Sequence, residues 1–289
     1  MKALLLPIIC IPALCHAEMR EFKNAKGQTL KAEPTVVQGA NLTLKLADGK
    51  QSTIPIKSLS PDDQIFILRW MLHEPKALNY NFICSSEEKG GAVEKKSSRL
   101  GKMETEQRSY NVKVGNRCQN PIDNLKAAYR VFIEDRVKDT GESQDEPSAS
   151  YKGGLLDLGR LTFNQNTSFS TSSLTVQNVA PNALAGFAGY KVKPNRDRMR
   201  GVWVKFYRHG VEVGEWKSPG LVKCEWPQST AEKTTLEADA AENKKKAEAA
   251  AAPSAAAAET AKPATPVQLS SDEMPQDLNI FEFEDAVKK

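Results

Sequence analysis

Between residues 20 and 72 the apolar positions fall first two apart and then three or four apart, so strands give way to a helix. Leu42, Leu44 and Leu46 alternate with Thr43 and Lys45, the pattern of a half-buried strand. Asp48-Gly49 follows, a dipeptide suited to a two-residue hairpin turn whose central residues both take positive φ. Thr53-Ile54-Pro55-Ile56 resumes the alternation, with Pro55 at an edge or non-donating position. Ser60-Pro61-Asp62-Asp63 then opens a helix. Ser60 supplies the cap, Pro61 suits the first helical position, and the aspartates favour the positive end of the dipole. Ile65, Leu68 and Leu72 recur at helical spacing and are predicted to plug one end of a small barrel. The segment reads as a β-rich unit closed by one helix.

From 79 to 226 the pattern is that of several short strands separated by turns, which predicts a sandwich. Tyr110–Val114 alternates and ends at Gly115-Asn116, and Leu125–Ile133 is a long strand. A polar loop is predicted over 139–150 and two further strands over 161–176. Gly201–Tyr207 is the strongest strand; it turns at His209-Gly210, returns as Val211–Trp216, and Leu221–Cys224 closes the domain. No long helix is expected within it. The order looks like an immunoglobulin- or fibronectin-like domain. His73-Glu74-Pro75-Lys76 is a short polar joint with a helix-stopping proline, so 18–76 and 77–226 are expected to fold separately.

The chain ends differ in composition. Met1–Ala17 carries one lysine, an apolar run and a small residue before Glu18, the order of a secretory signal cleaved after Ala17. A lipoprotein reading through Cys15 is disfavoured by bulky Leu14, and the run is too short to span a bilayer. From Pro227 to Lys289, twelve acidic residues against seven basic give a net −5, which leaves +9 on residues 1–226 of a +4 chain. The alanine-rich stretches there have helix propensity without an apolar stripe. Residues 227–289 are therefore read as a disordered Ala/Glu/Lys-rich tail with transient helix around 231–252.

Arg20-Glu21-Phe22, Gly27–Glu33, Leu42-Thr43-Leu44, Ala47-Asp48-Gly49-Lys50, Ile54-Pro55-Ile56 and Leu59-Ser60-Pro61-Asp62-Asp63 together resemble the SLA-one homology domain. That family is an SH3-like barrel named after a fungal endocytic adaptor that links cargo to actin assembly, and similar domains recur in exported bacterial proteins. The resemblance spans residues 18–74. It implies protein–macromolecule adaptor activity, with cytoskeletal-protein, ubiquitin and identical-protein binding. An exported protein meets neither actin nor ubiquitin, so only binding of a peptide or protein is carried over. The peptide-contacting lysine of the fungal domain maps, with a shift, onto Lys45 or Lys50; Lys57 and Trp70 complete the candidate peptide-binding set. The fungal target is Asn-Pro-Phe-x-Asp. The tail places Asn279, Phe281 and Phe283 in a similar order, departing at Ile280 and Phe283, and is expected either to dock on a β domain of the same or a neighbouring chain or to serve another partner.

Reactive chemistry is sparse. His73 and His209 belong to no metal motif, there is no nucleophile elbow, and Gly90-Gly91 and Gly153-Gly154 are read as turns. No enzyme activity, cofactor or metal is expected. Three cysteines follow the leader: Cys84, Cys118 and Cys224. If 79–86 and 109–116 are antiparallel neighbours, Cys84 comes near Cys118; the alternative is three free thiols. Lys191, Lys193, Arg196, Arg198 and Arg200, with Lys205 and Arg208 beyond, form a basic run. It is read either as a solvated loop and strand face or as a site for an anionic envelope polymer, an acidic protein or the acidic tail. The expectation is a mainly β, secreted or periplasmic protein: a small SH3-like barrel closed by one helix, an immunoglobulin-like β-sandwich and a disordered tail. Its expected role is non-enzymatic protein binding, with a structural envelope or matrix component as the alternative. Nucleic acid and stable membrane insertion are not expected.

Overall fold

The computed structural model describes residues 19–97, 101–137, 143–181, 195–221 and 224–251, and the fold is mainly β. Strands β1 (Arg20–Lys23), β2 (Thr29–Gln38), β3 (Asn41–Leu46) and β4 (Gln51–Pro55) form an antiparallel meander. A 3-10 turn over Ile56–Ser58 then carries the chain back to β1: Asn24 bridges Leu59, and the Ser60 N–H donates to the Lys23 carbonyl. That return covers the open side of β1 and closes the sheet into a small barrel. Phe22, Ala32, Val37, Leu42, Leu44 and Leu59 fill it. The β3–β4 turn departs from expectation. Only Gly49 takes positive φ, at 83°, because the Leu46 N–H donates to the Lys50 carbonyl and a longer turn with one left-handed position results.

Helix α1 (Pro61–His73) starts as predicted, with the Ser60 hydroxyl accepting from the Asp63 N–H. Its phase is not as predicted. Ile65, Leu68 and Leu72 are 48%, 40% and 52% exposed, whereas Ile67 is buried and Phe66, Trp70 and Met71 pack on the barrel core. The reason is Asp63. Its carboxylate accepts from the Lys23 N–H, the Ser60 hydroxyl and the Arg20 guanidinium, which turns that side of the helix inward and Ile65, Leu68 and Leu72 outward. Periodicity sets the repeat of a helix, not which of two apolar rows is buried.

Beyond the joint come β5 (Phe82–Ser97), β6 (Gly101–Asn116), β7 (Ile122–Val137), β8 (Ser143–Leu161), β9 (Asn166–Ser170), β10 (Leu174–Pro181), β11 (Asn195–Arg196), β12 (Arg198–Arg208) and β13 (Val211–Lys217). They form two antiparallel sheets, ordered β11-β10-β6-β5, with β9 also beside β6, and β13-β12-β7-β8. Val112, Val114, Leu174 and Val176 of the first meet Leu125, Tyr129, Val131, Val202, Val204 and Phe206 of the second in one core. Part of the polar segment 139–150 is strand, since β8 begins at Ser143. Gly153-Gly154 is not a turn. These residues lie in mid-strand opposite Arg130 and Tyr129, and a Cβ on Gly153 would come within 2.5 Å of the Arg130 side chain. Gly90-Gly91 sits at a bulge in β5 rather than at a turn. His209-Gly210 is the expected hairpin turn, with φ of 50° and 75°.

Residues 230–251 form helix α2 (Thr230–Ala251), so the folded chain continues past residue 226. The helix has no apolar stripe and is held by a few anchors. Glu232 pairs with buried Arg130, Asp239 with Lys126, and Leu236 packs on Ala128 and Tyr207. The barrel and sandwich are likewise bonded together within one compact unit. Asn120 and Gly39 exchange two hydrogen bonds, Met71 packs against the sandwich core, and Arg208 donates to the Met71, Leu72 and Glu74 carbonyls. Arg208 is thus a buried linchpin of the joint rather than a member of a surface basic run.

Candidate binding cleft at the open end of the sandwich

Along β6 the residues facing the second sheet are Val114, Val112 and Tyr110, all buried, followed on the same face by Arg108 and Glu106. Period-2 alternation continues, but its content changes from apolar to charged where the sheets open to solvent. Arg108 is held between Glu106, at 2.8 Å, and Glu88 of β5. Hydrogen bonding to Glu106, together with Glu88, raises the Arg108 pKa despite its partial burial, so the guanidinium is a fixed cation. Burial, reinforced by the Glu88 charge, pushes the neighbouring Tyr110 hydroxyl up to about 12.

The opposite wall comes from the β11–β12 corner and the end of β7. Asp197 fixes that corner. Its carboxylate accepts from the N–H groups of Arg136 at 2.7 Å, Val137 at 3.0 Å and Gln177 at 2.9 Å. One buried side chain therefore ties β7, β10 and the start of β12 together. Arg136 lies beside Glu134, which also receives Arg200 at 3.1 Å. Between the walls is an open cleft of about 550 Å³ with Val176 and Met199 among its lining. Its charged lining is Arg108, Arg136, Arg196 and Arg198 with Glu88 and Asp197, and Glu106 and Glu134 pair with Arg108 and Arg136 from just beside it. Such an arrangement can bind carboxylates through planar guanidinium forks while offering an apolar surface to a side chain.

Arg196 and Arg198 of the expected basic run line this cleft, Arg200 stands just outside it on Glu134, and Lys191 and Lys193 lie outside the described residues. Arg108, Arg136 and Glu88 were missed, although continued alternation past Tyr110 was the available signal. The peptide-binding set does not converge on one groove. Lys45 and Lys50 are near the β3–β4 turn, where Lys50 pairs with Asp48. Lys57 is exposed beyond the other end of β4, and Trp70 is packed against the barrel core. The leader and Asn279, Phe281 and Phe283 lie outside the described residues.

Cys84 and Cys118 are not bridged, and Cys84, Cys118 and Cys224 are all free thiols. The two strands are antiparallel neighbours as supposed, but Cys84 stands opposite Val114, while Cys118 follows the end of β6. Burial pushes the Cys84 thiol up to about 12. Among the described residues no group of three or more His, Cys, Asp or Glu side chains could hold a metal ion, and no helix is long and apolar enough to cross a membrane.

No family model matches the chain, and no curated protein matches it. Among solved structures it is similar to the X-ray structure of a Northeast Structural Genomics Consortium target, SoR45, at 12% identity. That match covers 51% of this chain and 95% of the other, with a TM-score of 0.21, and at that score carries no argument about fold or function.

Proposed function

We propose that this chain is an exported, non-enzymatic binding module whose sandwich takes an acidic segment of another protein in the cleft between its sheets. The observation that carries the reading is the convergence of four guanidinium groups on one cleft lined also by a pair of apolar side chains, Val176 and Met199. Arg108 and Arg136 are held there by Glu106 and Glu134, so the test falls on Arg196 and Arg198. Asp197 is already occupied by three backbone donors and is poorly placed to neutralise an incoming cation. Val176 and Met199 favour a peptide with an apolar side chain among its acids over a bare polyanion. Export rests on the leader-like residues 1–17, and adaptor-like binding on the resemblance over 18–74.

The test titrates the full mature chain into a labelled Asp/Glu-rich peptide with one central leucine, using an Asn/Gln-rich peptide as control. Binding should saturate, weaken steeply with added salt, and fall about tenfold or more in Arg196→Glu/Arg198→Glu. Equal binding by the charge-reversed protein, or none at about 1 mM, refutes the assignment.

A further inference from the structure

Strand β5 ends its sheet, so among the described residues nothing pairs with its outer edge, and every residue from Glu88 to Ser97 is exposed. An open edge in a strand of 16 residues invites pairing with another chain, and proteins blunt such edges with lysines and bulges. Both devices are present: Lys89, Lys95 and Lys96, and a bulge between Gly90 and Val93. The order of the charges adds something more. Residues 86–97 read Ser-Glu-Glu-Lys-Gly-Gly-Ala-Val-Glu-Lys-Lys-Ser, and laid antiparallel on itself this stretch sets an opposite charge across from every charge.

We propose that β5 pairs edge to edge with β5 of a second copy of this chain, about a twofold axis at Gly91-Ala92. Glu87 then faces the partner's Lys96, Glu88 the partner's Lys95, and Lys89 the partner's Glu94; the symmetry repeats each pair. The bulge makes this register compatible with the pleat. Gly90 and Val93 both stand opposite cleft-facing residues of β6, Arg108 and Glu106, so Glu88, Gly90, Val93 and Lys95 share one face. Glu87, Lys89, Glu94 and Lys96 share the other. Every proposed pair therefore joins two residues on the same face. Without the extra residue, the same register would set opposite faces across from each other. A two-residue slip is also penalised, because it places Lys89 opposite the partner's Lys96 or Glu87 opposite the partner's Glu94. Inside each copy Lys95 already pairs with Glu104 at 3.2 Å and Glu88 with Arg108, so the new pairs extend alternating charge across the joined sheet.

The proposal is independent of what the cleft binds, and its test leaves every cleft residue unchanged. Glu87→Lys/Glu94→Lys makes the outward row of β5 wholly basic, and Lys89→Glu/Lys96→Glu makes it wholly acidic. Sedimentation velocity on the full mature chain should show a dimer that weakens with salt. Each variant alone should associate about tenfold or more weakly, and an equimolar mixture of the two should restore the dimer. Unchanged far-UV circular dichroism and melting separate lost pairing from lost folding, and recovery on mixing does so directly. A monomeric wild type at about 0.1 mM and low salt overturns the proposal. So do variants that dimerise like wild type, or a mixture that stays monomeric.

Discussion

Arg208 joins the sandwich to the last turn of α1. It is 1% exposed, and its guanidinium donates to the Met71 carbonyl at 2.6 Å, Leu72 at 3.3 Å, Glu74 at 3.2 Å and the Tyr80 hydroxyl at 3.3 Å. These carbonyls belong to the last turn of α1 and the residue after it. A strand from the sandwich thus satisfies acceptors that a helix end leaves open, with a cation placed at the negative end of the dipole. Arg208→Met keeps the length and apolar stem but strands the Met71 carbonyl in a place water reaches poorly, while Leu72 keeps His209 and Glu74 keeps the Ala77 N–H as donors. Leaving a buried acceptor unmade costs about 1–3 kcal/mol, and the lost dipole contact adds about 0.3–1 kcal/mol. Removing a buried cation that has no carboxylate partner returns part of this, so the net loss should be about 1–3 kcal/mol. For a chain of this size that corresponds to a fall in melting temperature of about 2–12 °C. Urea unfolding of the full chain, followed by tryptophan fluorescence and circular dichroism, should show one transition in the wild type. The variant should unfold at lower urea, with the barrel released before the sandwich. Arg208→Lys should not rescue it, because one ammonium cannot span the same carbonyls. A variant within about 0.5 kcal/mol of wild type, with a single coincident transition, would refute the joint described above.

Two further outcomes follow from local geometry. Gly153→Ala puts a methyl group against the Arg130 side chain and the Tyr129 carbonyl, and should lower stability by about 1–3 kcal/mol in thermal melts; a neutral result would contradict the close packing of β7 and β8. Burial pushes the Asp63 carboxyl up, but the Lys23 N–H, the Ser60 hydroxyl and Arg20 together outweigh it and hold the pKa below the ordinary value of 3.8. The unfolded chain therefore takes up this proton first as pH falls, so the contribution is complete above about pH 4 and is lost below it. Asp63→Asn should melt below wild type at pH 6, with the gap narrowing toward pH 3. A constant gap would show that Asp63 is not the titrating group.

Local signals carried the elements and left out much of what joins them. Ser60-Pro61 marked the start of α1 because capping is decided within four residues, and His209-Gly210 marked its turn because few dipeptides accept two positive φ values. The buried row of α1 was not legible, since it depends on Asp63 reaching β1, forty residues away. Helix α2 was read as transient because its stripe is missing; its anchors, Arg130 and Lys126, lie more than a hundred residues earlier. The cleft was half legible. Arg196 and Arg198 are close in sequence, whereas Arg108 and Arg136 join them only once β10 has paired with β6 and Asp197 has tied down β7.

The two sheets carry unequal burdens, and this bears on where a partner can act. The outer face of the β13-β12-β7-β8 sheet is covered in part by the chain's own C-terminal segment. Trp226 stands edge-on to Trp203 at 5.2 Å, Arg130 lies over Trp226 at 4.6 Å, and Lys217 over Trp203 at 3.6 Å. Pro227 and Glu232 take the remaining reach of Arg130 before α2 runs on to His73. That packing gives β7 its nearly unbroken burial from Ala127 to Ile133, on both faces. Among the described residues the β11-β10-β6-β5 sheet has no such cover along β5, and its inner face turns charged at the open end. Arg108 and Glu88 belong to both features, because one faces the cleft from β6 and the other reaches it from the edge strand. Substitutions at Glu87, Lys89, Glu94 and Lys96 act on the edge alone, because they leave the Arg108–Glu88 pair of the cleft in place.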